Sequence, residues 1–305
     1  MSETPSPFRV GFVAIIGRPN VGKSTLINTL LGQKIAAVSP RPQTTRRRQL
    51  GILTLPDAQV IFVDTPGLHI PQHKLGEYMN EEAVASLEHS DLLVWMVDAS
   101  EPVTEEDRLI AQRLAKLSHR PAVLLVLNKI DRLKEDILPA RQAEFLGLLP
   151  FAEPVSISAY SKEDAQRFLQ AVLARLPAGQ PFFDEEQVTD LYERDIAMDL
   201  IREAALVHLR DEVPHALGVR IDEFRERNPG LNYIAATLLV EKESHKGIVI
   251  GQGGEMLKRI GSTARKSIEA MTGIHVFIDL HVKVSKDWRD NPAILKTLGY
   301  RKSSS

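Results

Sequence analysis

Eight consecutive residues, Gly17-Arg18-Pro19-Asn20-Val21-Gly22-Lys23-Ser24, with Thr25 behind them, fit the spacing GxxxxGKS. That spacing suits a polyphosphate. Glycines let backbone N–H groups converge on phosphate oxygens, the lysine reaches the β and γ phosphates, and the serine hydroxyl can ligate magnesium. Asp64-Thr65-Pro66-Gly67 adds a carboxylate able to hold a water on that metal and a glycine N–H able to sense a γ phosphate. Asn128-Lys129-Ile130-Asp131 adds base recognition: a carboxylate at Asp131 accepts from guanine N1–H and the 2-amino group, both lacking in adenine, so guanine is preferred. Ser158-Ala159 can offer backbone N–H groups to the guanine oxygen. The polar run from Pro40 to Arg48 lies between the first two motifs, and a threonine there can close over the metal when a γ phosphate is present.

Such groups need a scaffold that gathers strand ends. Between 10 and 176, short β-rich runs alternate with amphipathic stretches, the pattern of a mostly parallel sheet with helices on both faces. Strands are expected at 10–16, 49–55, 60–63, 92–97, 122–127 and 155–157, and helices at 23–31, 75–88, 105–117, 138–149 and 162–176. Pro56 and Asp57 allow a hairpin turn, which makes the second and third strands antiparallel at the sheet edge. The phosphate motif follows a strand and opens a helix, a context an ordinary glycine-rich turn lacks. The other motifs fall at strand C-termini, where open α/β sheets bind ligands.

The chain has 305 residues, 43% hydrophobic and 26% charged, enough for two globular domains. Cysteine is absent, which excludes a disulfide framework, Cys-ligated zinc and a thiol nucleophile, and fits a reducing cytoplasm. Residues 1–7 lack the apolar stretch of a signal peptide, and the longest apolar runs fall far short of the ~20 residues needed to span a bilayer. The net charge of −2 argues against a nucleic-acid partner only until it is divided. Residues 242–302 hold 12 basic and 6 acidic side chains, a net of +6; the rest holds 26 basic against 34 acidic, a net of −8.

Residues 177–184, with Pro177, Gly179 and Pro181, end the last helix and read as a linker. Thr189 is a candidate N-cap for a helix through 209. Strands at 216–223 and 233–240 flank Asn228-Pro229-Gly230; an apolar approach at 247–250, a glycine corner, a helix at 255–271 and a strand at 276–284 complete an α-β-β-α-α-β order. The corner, Gly251-Gln252-Gly253-Gly254, is a GxxG run ahead of a helix bearing Lys258, Arg259, Arg265 and Lys266. It resembles the GxxG loop with which KH domains clamp the backbone of about four single-stranded nucleotides. Aromatic residues are scarce here, so base stacking is not expected; Ile248, Ile250, Met256 and Ile260 are candidates for an apolar groove floor, or for plain core.

Taken together, the phosphate loop, the string Gln43-Thr44-Thr45-Arg46 and Asp64-Thr65-Pro66-Gly67-Leu68 resemble the Era branch of the translation-factor-like P-loop GTPases, and the basic end resembles a type II KH domain. The resemblance implies an α/β P-loop GTPase domain at 8–176 with a mostly parallel six-stranded sheet, a linker at 177–189 and an α+β type II KH RNA-binding domain at 190–301. It makes Thr45 the magnesium-binding switch threonine, with Thr44 as fallback, alongside Ser24 and Asp64. Leu68 stands where Ras-like relatives place the glutamine that orients the attacking water, and leucine cannot hydrogen-bond to it. Relatives with an apolar residue there can use a potassium ion, held in part by an asparagine of the phosphate loop whose position Asn20 matches. The catalytic set is then Lys23, Asn20, Thr45 and Gly67, with slow hydrolysis at ~10⁻⁴ to 10⁻² per second.

By the same resemblance the partners are GTP and GDP, the 3′ end of 16S ribosomal RNA and the small ribosomal subunit, whose assembly the protein assists. No DNA partner is expected, the protein is expected to be a monomer in the cytoplasm, and any contact with the inner face of the cell membrane is weak and peripheral. A different class of function remains beside this one: a nucleotide-stabilised RNA-binding or chaperone protein without a hydrolysis-driven cycle. A histidine metal site at His69 and His73 is disfavoured because Pro71 interrupts any shared helix face. The Arg46 to Arg48 run reads as a solvated switch edge, with contact to RNA phosphate as the alternative.

Overall fold

The structure is a computed structural model that describes residues 7–39, 41, 44–117, 121–134 and 136–300. Pro40, Pro42 and Gln43 of the run between the first two motifs, residues 1–6, and 301 at the end of the expected RNA-binding span lie outside the described residues. The chain separates into two compact units: Thr45–Ile70, Met79–Asp190 and the chain up to Gln33 form one, and Lys34–Thr44, Pro71–Tyr78 and the chain from Leu191 onward form the other.

In the first unit, β1 (Arg9–Ile16), α1 (Lys23–Leu31), β2 (Gln49–Leu55), β3 (Ala58–Asp64), α2 (Lys74–Glu88, shared with the second unit), β4 (Leu92–Asp98), α3 (Glu105–Ala115), β5 (Ala122–Asn128), α4 (Leu138–Leu148), β6 (Glu153–Ser156) and α5 (Lys162–Leu173) alternate as expected. Among the described residues they make a six-stranded sheet in the order β2-β3-β1-β4-β5-β6, parallel except for the β2–β3 hairpin. Strands buried on both faces read as unbroken apolar runs, and every residue of β4 is buried. The core gathers Ile16, Leu93, Trp95, Leu125 and Phe145, the last two aromatic rings meeting edge to face at 5.8 Å. Register then does the positioning: Ile15 lies beside Asp64 and Asp98 beside Asn128, so the motif-bearing strand ends line up along one sheet edge.

The second unit follows with α6 (Glu193–His208), β7 (Gly218–Asn228), β8 (Leu231–Val240), α7 (Glu243–Ile250), α8 (Glu255–Thr272), β9 (His275–Val284) and α9 (Pro292–Thr297). The α-β-β-α-α-β order holds, with the apolar approach at 247–250 being the end of a helix. β7 pairs antiparallel and β9 parallel with the central β8. Helices α6 and α8 supply Leu200, Ile201, Ile260, Ala264 and Ile268 to a core closed by the sheet residues Ile234, Ala236 and Leu238.

Two expectations are corrected. Thr189 does not cap α6, whose N-cap is Tyr192; the residues before it are tied to β2, with Val188 O accepting from Ile52 N–H at 2.9 Å and Asp190 Oδ1 from Leu50 N–H at 2.8 Å. Arg46 is not solvated but 3% exposed, whereas Arg48 at the end of the same run is exposed. The expected linker is bound along the first unit: Pro177 O accepts from Val10 N–H, Gly179 N–H donates to Phe8 O, and Gln59 bonds to both Phe182 and Phe183.

Candidate nucleotide and nucleic-acid sites

The phosphate loop is shaped by contacts that only glycine permits. A Cβ at Gly17 would stand 2.2 Å from the Met96 carbonyl oxygen, and at Gly22, where φ is +108°, one would stand 2.2 Å from Asn128 Nδ2. Such closeness leaves the backbone N–H groups at the mouth of α1, whose N-terminus carries partial positive charge and has no side-chain cap. Lys23 curls over this loop, Nζ donating to the Gly17 and Arg18 carbonyl oxygens at 3.1 Å each. Burial lowers its pKa to about 8, against the opposing pull of Asp64. A phosphate would restore the charge that burial disfavours.

Ser24, Thr45 and Asp64 converge although they come from three separate segments. Ser24 Oγ donates to Asp64 Oδ2 at 2.7 Å and lies 2.9 Å from Thr45 Oγ1, which is 3.3 Å from the same carboxylate oxygen. Burial raises the Asp64 pKa, and the Ser24 hydrogen bond and the Lys23 charge oppose it. Two hydroxyls and a carboxylate within hydrogen-bond reach form an all-oxygen set, the chemistry of a magnesium site. Thr44, the fallback, turns away to Ser39 Oγ and Arg41 O.

Thr65, beside Asp64 in the second motif, has a structural role. Thr65 is fully buried and its hydroxyl donates to Ile15 O at 2.7 Å, so its side chain does not face a nucleotide. Gly67 packs on the phosphate loop, where a Cβ would meet Pro19 N at 2.6 Å. Leu68 is 4% exposed, its side chain in the sheet core and its N–H on Gly17 O at 3.2 Å. No hydrogen-bonding side chain occupies that position. Asn20 sits at the crest of the loop with φ 64°, exposed.

Around the base site, Asn128 is a buried strut. Its Nδ2 donates to Val21 O at 2.6 Å and its Oδ1 accepts from Ala159 N–H at 2.8 Å. Ser158 N–H donates to Asp164 at 2.7 Å. The two N–H groups that the sequence assigns to the guanine oxygen are thus engaged with Asp164 and Asn128 in this structure. Asp131, on a 3-10 turn, is exposed, so its carboxylate stays hydrated until a base displaces the water. Lys129 takes φ 66° and ion-pairs with Asp98, an acid at the end of β4 that motif reading passed over. The signal was there: a carboxylate closing an otherwise apolar strand at the ligand-binding edge.

In the second unit, α7 ends at Gly251 (φ 72°, ψ 173°), and Gly253 and Gly254 are left-handed at φ 58° and 82°. These angles aim the chain sharply into α8, whose first N–H groups have no side-chain cap. Gln252, Lys258, Arg259, Arg265 and Lys266 are all exposed, the four cations recurring at seven-residue spacing. Of the two readings open for Ile260, the structure gives core: it is fully buried with Ala264 and Ile268 at i+4 and i+8; Met256 packs partly on that core. Ile248 is 50% exposed beside the corner.

Comparison with known proteins agrees with this division. A family model described as a 50S ribosome-binding GTPase matches residues 12–129, and a KH-domain model matches 212–289. The GTPase Era of Geotalea uraniireducens is 46% identical over 297 residues, covering 97% of this chain and 99% of that protein. That of Lacticaseibacillus paracasei is 46% identical over 291 residues, covering 95% and 96%. A crystal structure of Era in complex with MgGDPNP and nucleotides 1506–1542 of 16S ribosomal RNA superimposes with a TM-score of 0.91 at 40% identity, covering 96% of this chain and 99% of that one. An Aquifex aeolicus Era variant bound to GDP·AlF4− gives the same TM-score and identity.

Proposed function

The chain belongs to the GTPase Era family, and on that footing we propose that it is a slow GTP-hydrolysing switch whose nucleotide state governs how it holds the 3′ end of 16S ribosomal RNA during assembly of the small ribosomal subunit. GTP hydrolysis belongs to 8–176, RNA binding to 190–301, and 177–189 joins them. The observation that carries the reading is the convergence of Ser24, Thr45 and Asp64 beside the Lys23 loop. The RNA part is supported by the exposed GxxG corner with its four cations, and by the ribosomal RNA held by the relative of known structure.

Each residue has a defined task. The Gly17 to Ser24 backbone and Lys23 neutralise the phosphates; Ser24 and Thr45 would ligate magnesium, and Asp64 would hold a water on it. That ion supplies charge neutralisation between the β and γ phosphates when bound. Gly67 N–H reports whether the γ phosphate is present, and Asp131 reads the guanine edge. Attack by water forms the new P–O bond as the bond to the β phosphate oxygen breaks, and Leu68 offers that water nothing. Hydrolysis therefore runs as a clock. We assign Asn20 to a potassium ion that supplies part of the missing stabilisation; equal rates in sodium and potassium would remove that assignment.

We further take the protein to act as a cytoplasmic monomer, with any membrane contact peripheral; no helix among the described residues is long and apolar enough to cross a bilayer. The test is RNA crosslinking with sequencing, in a GTP-locked and a GDP-bound state. Enrichment at the 16S 3′ end that changes with nucleotide is expected. Reads scattered over messenger RNA, or identical in both states, would overturn the reading.

A further inference from the structure

Asp98 ends β4 with its side chain only 4% exposed, where a carboxylate needs partners to remain charged. It has them from both nucleotide loops. Oδ2 ion-pairs with Lys129 of the guanine-recognition loop and lies 3.9 Å from Arg18 Nη2 of the phosphate loop. Oδ1 accepts from Ser100 N–H at 3.0 Å and from the Ser100 hydroxyl. Burial alone would raise the carboxyl pKa, but hydrogen bonds from Lys129 and Ser100 outweigh it, and the net shift is downward.

Arg18 carries the same network outward. It pairs with Glu101 and lies 3.6 Å from Asp107, a fully buried acid that completes the capping box of α3 with Thr104. Two loops that must meet one nucleotide thus meet one carboxylate first. The backbone repeats the link, since Ala99 N–H donates to Asn128 O at 2.9 Å, and Lys129, at φ 66°, has a strained backbone that an external tether must hold. Bidirectional tethering by a buried charge is what a local strand-capping role would not require, because Ser100 alone satisfies that.

We propose that Asp98 is a positioning residue for guanine-nucleotide binding, a charged latch that sets the Lys129 side chain and the Arg18 end of the phosphate loop in register with each other. The inference rests on the GTPase reading. Preorganisation removes ordering that nucleotide would otherwise have to impose, so its loss appears as weaker binding of GDP and GTP alike.

The test is equilibrium binding of a fluorescent GDP derivative to the full chain carrying Asp98→Asn, Lys129→Met or both. Asp98→Asn is expected to raise Kd about tenfold, equivalent to roughly 1.4 kcal/mol. The double variant should bind within about threefold of Lys129→Met alone, since the latch has nothing left to hold. Ser100→Ala, which leaves the charge in place, should bind within about threefold of the parent. Additive losses, or a Ser100→Ala defect equal to that of Asp98→Asn, would overturn the latch. Should Asp98→Asn fail to fold, the cycle of Arg18→Met with Lys129→Met replaces it: coupling through the shared carboxylate is expected, and additivity refutes it. A parent chain that binds no GDP would instead refute the GTPase reading.

Discussion

Asn128 offers the sharpest test of how the nucleotide site is held. It is 1% exposed and braces two loops through two short hydrogen bonds, at 2.6 Å to Val21 O and 2.8 Å from Ala159 N–H. Asn128→Ala leaves a buried carbonyl and a buried N–H without partners. Each such orphan costs about 1–3 kcal/mol, so the nucleotide-free first unit should lose about 2–6 kcal/mol of stability. The two tryptophans, Trp95 and Trp288, fall one in each unit, so a Trp288→Phe background leaves Trp95 as the fluorescence reporter of the first. Urea unfolding followed at that residue, with GDP absent, reads the loss directly. GDP affinity should fall in parallel, because Gly22 packs directly on the Asn128 amide. A loss below about 0.5 kcal/mol would refute the reasoning, since it would place Asn128 in the class of ordinary surface substitutions.

Three further outcomes are expected. Gly17→Ala, whose Cβ would fall 2.2 Å from the Met96 backbone oxygen, should weaken GDP binding more than tenfold by calorimetry, whereas Gly147→Ala, with open space around it, should leave it unchanged. Burial holds Lys23 at about 8, below its unfolded value of 10.5, so the folded state sheds its proton first and stability should rise between about pH 8 and 10.5 and stay flat below; urea midpoints of the parent relative to Lys23→Met read this, and a flat difference from pH 7 to 10 would refute it. Lys258→Ala and Lys266→Ala, both exposed on α8, should each weaken RNA binding across sequences and reduce the salt slope by about 0.7; filter binding in a salt series checks it, and an unchanged slope would separate these cations from phosphate.

The placement of the site was legible because the motifs mark strand ends, and a parallel sheet brings those ends to one edge. What each side chain does there was less legible, because it turns on single-residue alternation. Asp64 faces the site while Thr65, one residue on, turns its hydroxyl into the sheet against Ile15. Ser158 and Ala159 sit where their motif requires, but their N–H groups go to Asp164 and Asn128, partners that no local pattern names. Ile260 belongs to an i, i+4, i+8 stripe with Ala264 and Ile268, so helical periodicity decides for core between the two readings that apolar character alone left open. The start of α6 failed for a tertiary reason: Thr189 has cap chemistry, yet hydrogen bonds from β2 hold its neighbours out of the helix.

The split of charge between the two halves follows from two different ways of meeting phosphate. In the first unit the cations that approach the nucleotide are already answered by acids: Lys129 by Asp98, Arg18 by Glu101, and Lys23 by the nearby Asp64. Uncompensated, buried charges of one sign would repel one another and spring the loops before any ligand arrived. Matching acids hold those loops closed and contribute to the net of −8 outside 242–302. The cations of α8 stand exposed in water, where a surface pair such as Arg259 with Glu255 at 3.7 Å is screened, and they can release counterions when an RNA backbone replaces them. A preformed pocket must neutralise its own cations and a surface clamp need not, which is why a chain with net charge −2 can still present a basic face to RNA.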